Sequence, residues 1–135
     1  MVAFDNSSHA QKALEKGLEL AEAGDAALDL VTVVQLPDYA GTIDEVDEMI
    51  RDGKRLYQDA YNRAAVEAKK RIALFNSKIL HGHIGETLIK YARDSEVDLI
   101  VMGSHGRSAV ANILLGSVSN YVVKHAKCPV LIIRE

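Results

Sequence analysis

The sequence has no tryptophan, only two phenylalanines and a single cysteine among its 135 residues. The lone Cys128 can form no disulfide within the chain, which favours a reducing, cytoplasmic compartment and a plain role as a small, partly buried apolar residue. No apolar run approaches the roughly 18 residues that a membrane-spanning helix needs. The polar segment from Asp5 to His9 also interrupts any signal-peptide core, so neither membrane insertion nor export is expected.

A strong excess of either charge is also missing. The formal net charge is -3, and no stripe of Lys and Arg alternates with aromatic residues, so nucleic acid is not expected as a partner. Hydrophobic residues make up 48% of the chain and charged residues 26%, which is typical of a globular domain. At this length the chain fits one domain with a substantial core.

Short β-prone runs alternate with longer helical patterns, which is typical of an α/β domain with a parallel sheet and helices on both faces. Five strands are predicted, at Val2–Phe4, Ala27–Val34, Ser77–His81, Val97–Met102 and Pro129–Ile133. Four helices are predicted, at Ser8–Ala23, from the acidic stretch Asp44–Glu48 to near Ala73, around Ile84–Ala92 and at Ser117–His125.

The long second helix carries charges at helical spacing. Asp59 and Arg63 are opposite charges four residues apart, as are Glu67 and Arg71, which indicates a largely solvated helical face. The acidic stretch at its start is interpreted as a solvated helix start, or else as a flexible cover or a partner surface. The apolar pair Leu56-Tyr57 in the same helix is interpreted as packing.

Ligands of open α/β sheets bind at the carboxyl ends of the strands. Two loops begin there, Asp5–Ser8 after the first strand and Gly103–Gly116 after the fourth. If those two strands are neighbours, both loops face one crevice.

The segment Gly103–Ser119 carries the residues with the clearest chemistry. Glycines let main chain come close to a ligand, and a helix N-terminus supplies free N–H donors and a positive dipole end for an anion. The hydroxyls of Ser117 and Ser119 add donors there, and Arg107 adds a positive charge for a phosphate tail. The residues alone leave two interpretations open: a phosphate cradle, or glycines that only shape a turn before a helix capped by Ser117. Neither a Walker A motif nor Gly-x-Gly-x-x-Gly is present.

Two residues separate Gly103 from Gly106, and nine residues separate Gly106 from Gly116-Ser117. This spacing resembles the ATP-binding signature of the universal stress protein family. The flanks are similar too: DLIVMGSHGR before the signature, LLGSVS and CPVLII around and after it, and VAFDNS near the start. The resemblance covers essentially the whole chain, so residues 1–135 are identified as a single universal stress protein domain.

That resemblance implies a fold, a ligand and an assembly. It implies an open five-stranded parallel sheet in the order 3-2-1-4-5, a Rossmann-like fold that binds adenine nucleotides. It further implies ATP, with Mg²⁺ or Mn²⁺ bridging the phosphates, and a homodimer formed through the final strand, Pro129–Ile133. The expected function is a nucleotide-dependent switch or partner-binding dimer in stress response. The alternatives are a dimeric interaction module that does not use nucleotide, and a slow ATPase, since no convincing general base lies near the phosphates.

The resemblance also implies roles for individual residues. The acid after the first strand, Asp5, would lie by the ribose, and main chain near the end of the second strand, Val33 or alternatively Val34, would meet adenine. The glycine loop and the start of the last helix would hold ribose and phosphates, with His105 a candidate for ligand contact. The predicted cofactor-binding residues are Asp5, Val33, Met102, Gly103, His105, Gly106, Arg107, Gly116, Ser117, Val118 and Ser119.

The sequence departs from the family pattern at two places and contains two weaker candidate sites. Asn6 stands where many relatives have glycine, and the first strand is unusually short. His81 and His83 share a predicted strand face but lack a third metal ligand nearby in sequence. Adjacency of Ser104 and His105 is not expected to place the hydroxyl against the imidazole, so no hydrolytic triad and no protein metal site are predicted.

Overall fold

The computed structural model describes residues 1–38, 41–107 and 114–134. In this part of the chain strands and helices alternate strictly, as β1 (Val2–Ala3), α1 (Ser8–Ala23), β2 (Leu28–Gln35), α2 (Ile43–Lys69), β3 (Phe75–Gly82), α3 (Ile84–Asp94), β4 (Ile100–Gly103), α4 (Ser117–His125) and β5 (Val130–Ile133). All strand pairs are parallel and their order is β3-β2-β1-β4-β5, which confirms the predicted topology.

The helix starts follow from local capping. Ser7 precedes α1, and its Oγ accepts a hydrogen bond from the Ala10 N–H at 3.2 Å. Before α2, the Thr42 hydroxyl accepts from the Glu45 N–H while the Glu45 carboxylate accepts from the Thr42 N–H at 2.8 Å. This reciprocal pair satisfies two amides that a helix start would otherwise leave free. The acidic stretch after Thr42 is therefore the first turn of a helix.

The central strand is the shortest. Val2 of β1 pairs with Leu30 on one side and with Val101 on the other. Beyond the ladder, the Phe4 N–H still donates to the Val31 carbonyl at 2.9 Å, and the Phe4 carbonyl accepts from the Thr32 hydroxyl at 2.6 Å. After Phe4 the chain turns away from the sheet.

Apolar side chains alternate between the two faces of the sheet, as the period of a strand requires. Leu30 packs with the helices α1 and α2, whereas its neighbour Val31 packs with α3 and α4. Both side chains are fully buried. The sheet is thus covered on both faces, as predicted.

A buried tyrosine holds α2 against the sheet. The Tyr61 hydroxyl donates to the Lys78 carbonyl of β3 at 2.8 Å, and its ring lies 6.1 Å from that of Phe4. Burial raises the pKa of the Tyr61 phenol, so the group stays a neutral donor at ordinary pH. None of the helices in the described ranges is both long and apolar enough to cross a bilayer.

The two pairs of charges spaced four residues apart form no ion pairs with each other among the described residues. α2 ends at Lys69, not near Ala73, so Arg71 is no longer one helical turn from Glu67. Arg71 instead reaches α1, where its guanidinium donates to Glu15 at 2.8 Å and to Glu22 at 3.0 Å. In the described part of the chain Asp59 and Arg63 form no ion pair either, although both lie within α2.

The core around β2 should dominate stability. We expect Leu30→Ala to lower the free energy of unfolding by about 2–5 kcal/mol, because it opens a cavity in a fully buried layer. Val66→Ala is the control, since Val66 is 61% exposed on α2 and its truncation should change stability by less than about 0.5 kcal/mol. Urea denaturation followed by circular dichroism measures both. Equal effects of the two substitutions would contradict this packing.

Candidate functional site

The loops after β1 and β4 meet, because these strands are neighbours in the sheet. The main-chain N–H of Arg107 donates to Oδ2 of Asp5 at 3.0 Å, while Oδ1 accepts from the Ser7 N–H at 3.0 Å. A Cβ on Gly106 would lie 2.6 Å from Oδ2 of Asp5, so only glycine allows this approach without displacing the carboxylate. The expected crevice between the two loops is therefore present.

A cavity of about 560 Å³ occupies the crevice. Its volume lies in the range of roughly 300–1,000 Å³ that is usual for small-molecule and cofactor sites. Its lining includes every residue predicted to bind the cofactor: Asp5, Val33, Met102, Gly103, His105, Gly106, Arg107, Gly116, Ser117, Val118 and Ser119. The predicted loop 103–116 continues through residues 108–113, which lie outside the described part of the chain.

One wall of the cavity was not predicted. Helix α2 contributes Gly53, Leu56 and Tyr57, and α3 contributes Ile84 and Leu88. A Cβ on Gly53 would lie 2.5 Å from a methyl group of Val34, so the glycine lets α2 lie close over β2. A glycine inside a long helical pattern was the available sequence signal for this wall, since glycine is unfavourable there without a packing reason.

The main chain of Val33 faces the side of β2 that β1 leaves uncovered. Alternate residues of β2 point their peptide groups toward β1, and Val31 is one of these, because its carbonyl accepts from Phe4. Val33 is the next in this alternation. The Phe4 carbonyl instead accepts from the Thr32 hydroxyl, so within the described residues the Val33 N–H and C=O have no strand partner on that side. Val34 points its peptide groups toward β3.

The amino end of α4 opens on the same cavity. Gly116 is the residue before the helix, and no side chain of the described residues accepts from the amides of the first turn. Unpaired amides and the positive end of the helix dipole together attract an anion. A Cβ on Gly116 would lie 3.4 Å from the Ser104 carbonyl oxygen, an ordinary contact, so space inside the protein does not require glycine here.

The two serines of this turn differ. Ser119 is 2% exposed, and its hydroxyl lies 2.8 Å from the Ser104 carbonyl and 3.0 Å from that of Gly116. The single hydroxyl proton of Ser119 is thus engaged by the protein. Ser117 is exposed, and its hydroxyl has no hydrogen-bond partner among the described residues. Of the two, Ser117 is the hydroxyl open to a ligand.

The turn after β4 contains one feature that was predicted incorrectly. Oγ of Ser104 lies 3.1 Å from Nδ1 of His105, because the chain bends here and brings the ring back over the hydroxyl. Ser104 is only 3% exposed, so its hydroxyl is not an open nucleophile. Nε2 of His105 is buried without a hydrogen-bond partner among the described residues. The rings of His9 and His105 lie 5.7 Å apart.

The remaining candidates take ordinary roles. Asn6 has φ of +63°, a left-handed conformation that asparagine adopts more readily than most residues, which explains how it can stand in a glycine position. His83 precedes α3, and its Nε2 lies 2.9 Å from Oδ1 of Asp38. No three His, Cys, Asp or Glu side chains are grouped as metal ligands in the ranges that the structure describes.

An open parallel sheet with a glycine-lined cavity at its switch point defines a Rossmann-like α/β fold with a candidate ligand site. Comparison with known proteins narrows this class. The pattern of the universal stress protein family matches residues 1–134, and the chain belongs to that family.

Individual relatives agree over almost the full length. The "universal stress protein in QAH/OAS sulfhydrylase 3′ region" of Thermus aquaticus is 34% identical, over 99% of this chain and 96% of the relative. The solved structure of UspA from Lactobacillus plantarum is 29% identical with a TM-score of 0.90, covering 98% of this chain and 96% of that one. A universal stress protein solved in complex with cAMP is 26% identical with a TM-score of 0.68, covering 98% and 94%.

The two serines give a direct test of the geometry. We expect Ser119→Ala to lower the free energy of unfolding by about 1 kcal/mol, since it removes the hydrogen bond that ties α4 to the turn after β4. Ser117→Ala should change it by less than about 0.5 kcal/mol, because that hydroxyl is exposed. Chemical denaturation of both variants provides the measurement. A larger loss for Ser117→Ala than for Ser119→Ala would reverse the assignment.

Proposed function

We propose that this protein binds an adenine nucleotide, ATP with Mg²⁺, in the cavity between β1 and β4. It acts in the cytoplasm as a nucleotide-dependent switch or partner-binding homodimer in stress response. One observation carries the proposal: the uncapped start of α4 opens on the same cavity as Asp5 and the free main chain of Val33. The relative solved with cAMP, an adenine nucleotide, supports the same class of ligand.

The apolar part of the cavity suits the base. Val31, Leu88 and Met102 are buried residues of one cluster that also line the cavity. Next to them, the unpaired N–H and C=O of Val33 offer one donor and one acceptor in the plane of the sheet. Adenine presents a ring nitrogen acceptor beside an exocyclic amine donor, so this peptide edge complements it. The free edge supports Val33 over Val34 for this role.

The polar part suits the sugar and phosphates. Asp5 supplies carboxylate oxygens, which are acceptors for ribose hydroxyls. The amides of Ser117 and Val118, the Ser117 hydroxyl and the Arg107 guanidinium are donors for phosphate oxygens. Gly116 carries no side chain that would stand between the phosphates and these amides. The cavity therefore offers acceptors to the ribose and donors to the phosphates.

The metal ion would be coordinated mainly by the nucleotide and not by the protein. Mg²⁺ keeps several waters and commonly binds substrate phosphates with one or two carboxylates, so it needs no cage of protein ligands. The cavity lining is compatible with this mode, because the ion would take most of its ligands from phosphate oxygens and water. The ion would reduce the charge repulsion between phosphates.

A charge at the start of α4 tests the nucleotide site. We expect Ser117→Asp to weaken Mg-ATP binding at least about 100-fold, because like charges brought together cost several kcal/mol. Asn120→Asp is the matched control: it adds the same charge one turn along α4, at an exposed residue outside the cavity lining. Isothermal titration calorimetry measures both variants against the unmodified protein.

The outcomes separate clearly. No binding heat for the unmodified protein at millimolar Mg-ATP would overturn the proposed ligand. Normal Mg-ATP binding by Ser117→Asp would mean that the phosphates bind elsewhere. Equal losses of affinity in Ser117→Asp and Asn120→Asp would mean that the loss comes from net charge alone. Mass spectrometry of the purified protein for a carried-over nucleotide gives an independent readout.

The proposed homodimer uses the free edge of β5. The carbonyls of Pro129 and Ile133 accept from Ile100 and Ser104 of the β4 side, at 3.0 and 2.9 Å. By strand alternation the peptide groups of Val130 and Ile132 point to the opposite, open edge. An open edge of this kind is a template for pairing with a second chain.

Removing one outward N–H should weaken that pairing. We expect Ile132→Pro to shift the protein toward monomer, because proline cannot donate a ladder hydrogen bond while the β4 side keeps its own. Ile132→Ala is the control, since it shortens the side chain but keeps the N–H. Sedimentation equilibrium measures the association constant. A dimer that survives Ile132→Pro unchanged would locate the interface away from this edge.

A further inference from the structure

Arg107 is held at both ends. Its main-chain N–H donates to Asp5 at 3.0 Å, and its guanidinium Nη1 donates to the hydroxyl oxygen of Tyr57 at 3.3 Å. An arginine on an exposed turn ordinarily has a mobile head group, and fixing such a side chain costs conformational entropy. Here two contacts from different elements have already restricted it.

Tyr57 is a rigid anchor. Its side chain is 7% exposed within the core cluster that packs α2 on the sheet, and its residue lines the cavity. One turn further along the same helix, Tyr61 bonds to the Lys78 carbonyl of β3. The position of the Tyr57 hydroxyl is therefore set by the helix and the core together.

The anchor is also neutral. A carboxylate partner would cancel the charge of Arg107, whereas a phenol oxygen accepts one hydrogen bond and leaves that charge in place. A guanidinium has five N–H donors in a planar fork. The bond to Tyr57 uses one of them, which leaves donors for the oxygens of a phosphate chain.

We propose that Tyr57 is a positioning residue, which holds the Arg107 guanidinium at the polar end of the cavity for the phosphates of the ligand. The inference rests on the proposed nucleotide function and adds a role for α2 in it. The contribution of Tyr57 to affinity should depend on the ligand, because Tyr57 strengthens binding only to the extent that Arg107 contacts phosphate. A ligand without phosphate gains nothing from the pair.

The test is a double-mutant cycle read with two ligands. Affinities for Mg-ATP and for adenosine are measured by calorimetry on the unmodified protein, Tyr57→Phe, Arg107→Ala and the double variant. We expect Arg107→Ala to weaken ATP binding at least about tenfold, the loss of a charged hydrogen-bonding partner. Tyr57→Phe should weaken it about threefold to tenfold, the cost of ordering a long side chain. The double variant should match Arg107→Ala, and adenosine affinity should change less than about twofold throughout.

Tyr91→Phe is the matched control. The Tyr91 hydroxyl donates to Asp29 at 2.9 Å, outside the cavity lining, so its loss removes a comparable hydrogen bond without touching the site. Both affinities should stay unchanged in that variant. Thermal melting of each variant checks that the fold is intact.

Three results would overturn the inference. Equal losses of ATP and adenosine affinity in Tyr57→Phe would make its role structural. Additive losses in the double variant would mean that the two side chains act independently, and unchanged ATP binding in Tyr57→Phe would show that the anchor is unnecessary. Failure of the proposed function is distinct, because the unmodified protein itself would then not bind Mg-ATP.

Discussion

The site depends on the early end of the central strand. β1 leaves the sheet after Phe4, whereas β2 beside it continues to Gln35 and is paired with β3 to its last residue. The Thr32 hydroxyl donates to the carbonyl of Phe4, the residue after β1, so this carbonyl is paired although the strand ends here. The early end of β1 leaves one edge of β2 without a neighbouring strand, next to the turn that carries Asp5. A longer β1 would fill the crevice with its own main chain.

The three glycines of the family signature meet different physical requirements. A Cβ on Gly103 would lie 2.6 Å from Cβ of His9, so this glycine lets the end of β4 pack on the first turn of α1. Gly106 leaves room for the Asp5 carboxylate. Gly116 alone has ordinary space around it and a conformation open to any residue, with φ of -66° and ψ of 167°. The first two glycines build the crevice, and the third leaves the start of α4 accessible from it.

The fold and most of the cavity could be predicted from sequence because they depend on local patterns. Short β-prone runs identify the strands, and the resemblance of the glycine spacing to the family signature predicts the turn after β4 and the start of α4. The contribution of α2 could not be read in this way. Tyr57 lies at the helical spacing of a core residue, and it is buried in the core. Its place in the apolar pattern of α2 therefore gives no sign that its hydroxyl also reaches the cavity. The position of this hydroxyl depends on where α2 crosses the sheet. Gly53 and Tyr61 fix that crossing through contacts with residues that are distant in sequence. The end of α2 was also predicted wrongly, near Ala73 instead of Lys69, and this difference places Arg71 beyond the helix, where it contacts α1.

Charge is divided between the two sides of the cavity. On the side of β1, Asp5 turns both carboxylate oxygens toward main-chain donors, one from Ser7 and one from Arg107. On the opposite side, the start of α4 presents amides that the described residues do not cap. Arg107 links the turn after β4 to two further elements, because its main-chain N–H donates to Asp5 while its guanidinium donates to Tyr57 of α2. In the proposed function, a carboxylate near the phosphates would ordinarily repel them, but the Asp5 carboxylate accepts a hydrogen bond from the main chain of Arg107, the same residue that carries the positive charge. The cavity lining thus contains carboxylate acceptors suited to hydroxyl groups and main-chain donors suited to an anion, and the proposed nucleotide carries both kinds of group on its ribose and phosphates.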